Sequence, residues 1–241
     1  MYYKTRGIAL HAIPYNDKCS IVYVYTEAFG RVSYLVSRVR GKKSSVSKSL
    51  FIPLSVLDME VNHLNNRELQ RIREAKLCFP VDGLMLDPVK NALSLFLSEV
   101  IFRVIKQSEA DPRLFAFLAD SIRLLSITTE GVANFHLVFL IRLLNYLGFK
   151  PNTDNYSVGS FFDLQNGVFL TSQPLNTDFL KPDDSIILMR LLRMNYENMS
   201  VFRFTHEQRS AIIERILDYY RLHLPSLYEI KSLAVMQSLF S

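Results

Sequence analysis

Tryptophan is absent from this 241-residue chain, and cysteine occurs only twice, at Cys19 and Cys78. Two thiols are too few for a disulfide framework or a four-thiolate zinc site, and they read as free cysteines in a reducing compartment. No charged segment followed by an apolar run opens the chain, and Arg, Glu or Asn interrupts its longest apolar stretches. Neither a secretory leader nor a membrane span is expected, and the predicted location is the cytoplasm. Catalytic signatures are missing too: there is no GxGxxG, no GxxxxGK followed by Ser or Thr, no GxSxG and no HExxH. The five histidines, His11, His63, His136, His206 and His223, are scattered, and no two share a helical face at ligand spacing. His136, in an apolar run, reads as a core histidine. Glu99 with Arg103 reads as a surface i,i+4 pair, and Asp183-Asp184 as acids at a helix start. No catalytic residue, metal or cofactor is expected, and the chain does not read as an enzyme.

One further absence points the other way. No acidic residue falls between Ala28 and Leu57. Within that window the stretch Gly30 to Lys48 carries Arg31, Arg38, Arg40, Lys42, Lys43 and Lys48. Val32 to Val39 reads as a strand and Gly41 to Ser49 as a serine-rich polar loop. A basic strand running into a basic loop can hold phosphates; the alternative is a solvated surface loop. The net charge of +5 is unevenly placed. Residues 1–80 hold 13 Lys and Arg against 6 Asp and Glu, whereas residues 81–241 hold 15 against 17. The excess therefore belongs to the first third, which implies an anionic partner such as nucleic acid. Tyr2, Tyr3, Tyr15, Tyr23, Tyr25, Phe29 and Tyr34 interleave with these cations. Aromatic rings stack on bases while Arg and Lys follow the backbone of a single strand; the same rings can also simply pack a core. Alternation along Cys19–Thr26 puts Ile21, Tyr23 and Tyr25 on one face, which suits either reading.

The pattern predicts an α+β chain of two domains. In residues 1–79, strand-like runs cover Thr5–Ile13, Cys19–Thr26, Val32–Val39, Phe51–Val61 and Leu69–Ala75, with turn residues roughly every ten positions. Five short strands of this kind suggest a small closed barrel, of which the OB-fold is the common oligonucleotide binder. Periodicity alone does not separate it from an SH3-like barrel. The character changes at Cys78-Phe79-Pro80, and residues 80–241 read as a helical bundle. Asp87-Pro88 and Asp111-Pro112 are N-cap and N1 pairs that open helices to about Lys106 and Leu125. An apolar helix spans Gly131 to Leu147 and ends at Gly148. Within residues 150–180, Phe161 to Leu170 reads as a hairpin with an Asn-Gly turn. Helices resume from Pro182 to Asn195, from the capping box Thr205-x-x-Gln208 to His223, and from Leu227 to Leu239.

The segment KTRGIALHAIPYNDKCSIVYVYTEAFGRVSYLVSRVRGKKS resembles the N-terminus of the bacterial recombination and repair protein RecO family. GVANFHLVFLIRLLNYLGFKPN resembles that family's central helix, and HLPSLYEIKSLAVMQSL its C-terminal helix. Their order and spacing agree over nearly the whole chain. The resemblance implies an N-terminal OB-fold, a helical C-terminal domain and a non-enzymatic mediator. Such a protein binds single- and double-stranded DNA, anneals complementary strands, and works with RecR to load RecA onto strands coated by single-strand binding protein. One departure is visible. Many family members place four cysteines around zinc after the central helix, but Lys150 to Pro174 contains none, so zinc is not carried over. The resemblance also implies binding of the acidic, apolar tail of single-strand binding protein, which needs an apolar pocket and a local cation. Arg142, Arg123 and Arg103 are the candidates for that cation. Arg142 could instead hold the bundle together by pairing with Glu99 or Asp120. From the residues alone, an RNA-binding or ribosome-associated OB module with a helical docking domain is the competing function.

Overall fold

The computed structural model describes residues 1–37, 46–64, 66–105, 109–225, 227 and 229–239. Arg38, Arg40, Lys42 and Lys43 lie outside the described residues. The chain divides into two compact units, Met1–Thr128 with Glu229–Leu239, and Thr129–Tyr228. The compositional change at residues 78–80 thus separates strands from helices, while the packing boundary falls some fifty residues later.

The first unit opens with β1 (Tyr2–Pro14), β2 (Cys19–Thr26), β3 (Gly30–Ser37), β4 (Val56–Asn62) and β5 (Leu69–Leu77), closed into a barrel of order β1-β2-β3-β5-β4. The long first strand makes closure possible. Its first half pairs with β4 and its second half with β2, with a register shift between Ala9 and His11 where the strand changes partner. β3 pairs with β5 in parallel and every other pair is antiparallel. This Greek-key closure is that of an OB-fold, with period-two alternation sending Val22, Val24, Val32, Tyr34, Val36, Met59 and Val61 into one apolar core. β4 begins at Val56, later than the Phe51 expected from composition. Lys48–Leu50 forms a 3₁₀ turn, Pro53 has no N–H for a ladder, and Leu54 takes φ 65° to turn the chain into the strand.

The helices of this unit are α1 (Asp82–Met85), α2 (Pro88–Val104) and α3 (Pro112–Ile127). Asp87 caps α2 by accepting from Val89 and Lys90 N–H, and Asp111 caps α3 in the same way. The terminal helix of the chain, Ser232–Ser238, packs on α2. Glu99 does more there than form its pair with Arg103 at 3.6 Å. Its carboxylate also accepts from the Ser232 N–H at 2.9 Å and the Ser232 hydroxyl at 2.6 Å, which caps the returning helix from a distance.

The second unit contains α4 (Phe135–Leu147), preceded by a 3₁₀ turn at Val132–Asn134, then a small sheet of β6 (Phe161–Asp163), β7 (Val168–Leu170) and β8 (Phe179–Leu180). It ends with α5 (Pro182–Arg193), a 3₁₀ turn at Met199–Val201, and α6 (His206–His223), whose capping box at Thr205 and Gln208 is formed. α4 packs on both α5 and α6, as an almost wholly apolar helix must. On it, His136 is buried, and burial followed by the Arg209 charge lowers its pKa to about 3, so it stays neutral.

The hairpin within residues 150–180 is organised around one carboxylate. Asp163 is buried and accepts from Gln165 N–H (2.9 Å), Asn166 N–H (3.2 Å), the Asn166 amide (2.7 Å) and the Asn176 amide (3.2 Å). Asp163 pairs with Val168, so the loop is four residues long and ends at Gly167 rather than being a two-residue Asn-Gly turn. Phe162 and Phe169 close the apolar side, 4.8 Å apart. Burial pushes the Asp163 carboxyl up, but its hydrogen bonds, led by those of Asn166, outweigh this and hold it below the ordinary value. A depressed pKa contributes stability above the unfolded value and loses it as pH falls through the folded one. Replacing Asp163 with Asn puts an NH₂ against the Asn166 amide, and is expected to cost about 2 kcal/mol, read as a lower urea midpoint. The lobe is held by the hydrogen bonds of Asp163 and the Phe162–Phe169 contact, so a chelator should leave the wild-type midpoint unchanged. A chelator-induced drop, or an unaffected Asp163→Asn variant, would contradict that account.

Candidate nucleic-acid interface and apolar pocket

Of the sequence-derived DNA-binding residues, Arg31, Tyr34 and Lys48 are among those described, and their surroundings differ. Tyr34 was expected to be available for stacking; instead it is fully buried. Its ring packs among Val22, Val24 and Val36, and burial raises its pKa. The reason is parity. On β3 the even positions Val32, Tyr34 and Val36 point inward, while Arg31, Ser33, Leu35 and Ser37 point out. Tyr34 therefore shapes the barrel, and its ring has no exposed face for stacking.

Arg31 faces outward, but its guanidinium donates to the Phe102 carbonyl of α2 at 2.9 Å and lies 5.0 Å over the Phe102 ring. Desolvation in that position lowers its pKa. The outward tyrosines of β2 are engaged in the same manner. Tyr23 meets Phe102 edge-on at 5.0 Å, with His11 against the same ring, and Tyr25 stacks on Phe115 of α3 at 6.2 Å. Part of the β2–β3 outer face is thus an internal seam of the unit. Lys48 is exposed on its 3₁₀ turn and forms no ion pair among the described residues. Among the described residues of the barrel, the exposed aromatics are Tyr2, Tyr3 and Tyr15, at 55%, 37% and 56% exposure.

Arg103 and Arg123 belong to the first unit. Arg103 is paired with Glu99, and Arg123 is exposed on α3. Arg142, in the second unit, escapes burial: it is exposed, with its guanidinium 5.1 Å over the Tyr196 ring.

Within the second unit, α4, α5 and α6 leave an apolar pocket of about 300 Å³. Its floor includes Ile141 and Leu144 of α4, Leu188 and Leu191 of α5, and Ile212 and Ile216 of α6. These pairs recur three or four residues apart, so each helix contributes one stripe. Arg190, Arg203 and Arg215 stand at its edge with one carboxylate, Asp184. Arg190 lies 5.9 Å over Phe204, and Arg215 shares an ion pair with Asp218 at 3.7 Å. An apolar floor edged by three guanidinium groups suits an apolar side chain that carries carboxylates. Sequence reasoning missed these three arginines. Two of them sit on helices that each show an amphipathic stripe, but the pocket exists only once three helices pack.

A closed β1-β2-β3-β5-β4 barrel followed by helices defines an OB-fold protein with a helical extension. Residues 1–81 match the family model described as recombination protein O N terminal, and residues 85–234 match recombination protein O C terminal. The chain is 48% identical over 240 residues to the DNA repair protein RecO of Azobacteroides pseudotrichonymphae, covering all of both chains. It is 43% identical to that of Phocaeicola vulgatus, again over the full length of both, and 36% identical to that of Porphyromonas gingivalis over 98% of each. The chain belongs to the recombination protein O family, among DNA repair proteins. Among the described residues, no helix is long and apolar enough to cross a membrane, and no group of His, Cys, Asp and Glu could hold a metal ion.

Proposed function

We propose that this chain is a non-catalytic recombination mediator. It binds single- and double-stranded DNA through the barrel unit, anneals complementary strands, and with RecR assists loading of RecA onto strands coated by single-strand binding protein. The observation that carries this reading is the basic stretch Gly30–Lys48, within a window free of carboxylates from Ala28 to Leu57, in a barrel of OB topology. The mechanism is charge neutralisation. A cationic surface holds two mutually repelling strands close enough to pair, and no covalent step is needed. The decisive assay is annealing of complementary strands coated with single-strand binding protein, with and without this chain. No acceleration, or a strong preference for RNA over matched single-stranded DNA, would favour an RNA-binding module instead.

The pocket between α4, α5 and α6 is the proposed seat for the acidic tail of single-strand binding protein. Arg190 and Arg203 are exposed and form no ion pair among the described residues. Reversing both to Glu is expected to reduce tail-peptide affinity at least tenfold, while stability changes by no more than about 0.5 kcal/mol. Arg142→Gln should leave that affinity unchanged. Loss of affinity in Arg142→Gln with the double reversal silent would move the peptide site to α4.

A further inference from the structure

The barrel surface is blocked on two sides, and what remains between them is a continuous band. On one side, Phe102 and Phe115 cover the rows containing Tyr23, Tyr25 and Arg31. On the other, the row Glu74–Glu60–Lys4 presents two carboxylates, of which Glu60 is already held by Arg73 at 3.0 Å. The register fixes what lies between. Ile21 pairs with Leu35, Leu35 with Arg71, Arg71 with Asn62, and Asn62 with Tyr2. All five are on the outward parity of their strands. Ile21, Leu35 and Asn62 are half-buried, Arg71 is exposed, and Tyr2 is 55% exposed. At the spacing of neighbouring strands, the band crosses about 19 Å of barrel.

Its chemistry changes along that length. Two half-buried aliphatic side chains, Ile21 and Leu35, lie side by side at the β2–β3 end. Arg71, in the middle, forms no ion pair among the described residues. Tyr2, at the far end, is backed by the Arg73 guanidinium 4.9 Å from its ring. Next to the band, Leu64 and Arg67 are held from below by Gln70. Gln70 is buried, and its amide donates to the Leu64 carbonyl at 2.7 Å and the Arg67 carbonyl at 2.6 Å, while its oxygen accepts from the Leu64 N–H at 3.0 Å. The exposed Arg67 thereby has its main chain tied to Gln70 beside the band. An ordered surface that alternates apolar patch, cation and supported ring matches the demands of a single strand. Bases need faces to stack on, and phosphates need a cation that is not already spent.

We infer that single-stranded DNA crosses this band, with Arg71 taking a phosphate and Tyr2 stacking on a base. This rests on the DNA-binding reading above and adds a path and two contact residues outside the Gly30–Lys48 stretch. The absence of native tryptophan makes a clean test possible. Tyr2→Trp would be the only indole in the chain, and saturating oligothymidine is expected to quench it. Val201→Trp, at an exposed position in the second unit, should not be quenched. In parallel, Arg71→Ala should lower the slope of log affinity against log salt by about 0.7 for a single strand. Binding is followed independently by anisotropy of labelled oligonucleotide. Binding with unquenched Tyr2→Trp and an unchanged slope in Arg71→Ala would overturn the path but leave the DNA-binding reading standing. No binding by the wild-type chain would overturn both.

Discussion

Replacing Arg38, Arg40, Lys42 and Lys43 together with alanine is expected to lower duplex DNA affinity by up to about 10³-fold at 0.15 M salt. The size follows from counterion release. Each neutralised phosphate contributes roughly 0.9 to the slope of log affinity against log salt, so four contacts lower that slope by between three and four. The loss should be far smaller at 0.5 M salt, where the released ions re-enter a concentrated bath. Thermal stability should hardly move, because four charged residues of a serine-rich stretch are exchanged for alanine and no apolar residue is changed. Lys48 is kept in this variant as the one cation of the stretch with a described and exposed position. A folded variant with unchanged slope and affinity would show the stretch to be solvated surface, and would transfer the phosphate contacts to residues such as Arg67 and Arg71.

How much of this was readable in the sequence depended on whether the governing interaction was local. The barrel was legible because strand parity is a two-residue signal. Cys19–Thr26 alternates strictly up to Val24, and turn residues bracket each run. Helix starts were legible because a cap lies within three residues of what it caps, as Asp87, Asp111 and Thr205 show. The two-residue β8 carries no such signal; it exists because Phe162 and Asp163 offer an edge for Leu180 and Phe179 to pair with. The site was read less well. Composition recognised that Gly30–Lys48 is cationic, yet it could not show that Arg31 is fastened to a main-chain carbonyl 71 residues away. Tyr34 was counted with the aromatics when its parity with Val32 and Val36 already marked it as inward. The pocket arginines were invisible for a different reason: Arg190, Arg203 and Arg215 become neighbours only through the packing of α4, α5 and α6.

A large single-residue effect on stability is expected at Gly131, where the chain enters the second unit. Gly131 has φ +69°, and a Cβ placed there would lie 2.8 Å from the Ser200 backbone nitrogen and 3.0 Å from the Ser200 Cα. The approach is this close because Asn134, three residues on, ties the same two segments together. Its side-chain amide donates to the Met199 carbonyl at 2.9 Å and the Phe202 carbonyl at 2.7 Å, so the two 3₁₀ turns are held face to face. Gly131→Val must adopt a left-handed conformation with a β-branched side chain and also push two backbone segments apart. The conformational part costs about 1–2 kcal/mol and the overpacking about 1–3 kcal/mol, so a loss of roughly 3 kcal/mol is expected. Gly148 is the internal control. It takes φ +86° at the end of α4, but nothing lies within 4 Å of a Cβ built there. Gly148→Ala should therefore show the conformational cost alone, about 1 kcal/mol. The measurement is the urea midpoint of both variants by far-ultraviolet circular dichroism, with the slope checked against wild type. Gly131→Val falling no further than Gly148→Ala would mean that the Met199–Val201 turn yields to a side chain, and that the Asn134 bridge is not what sets the approach.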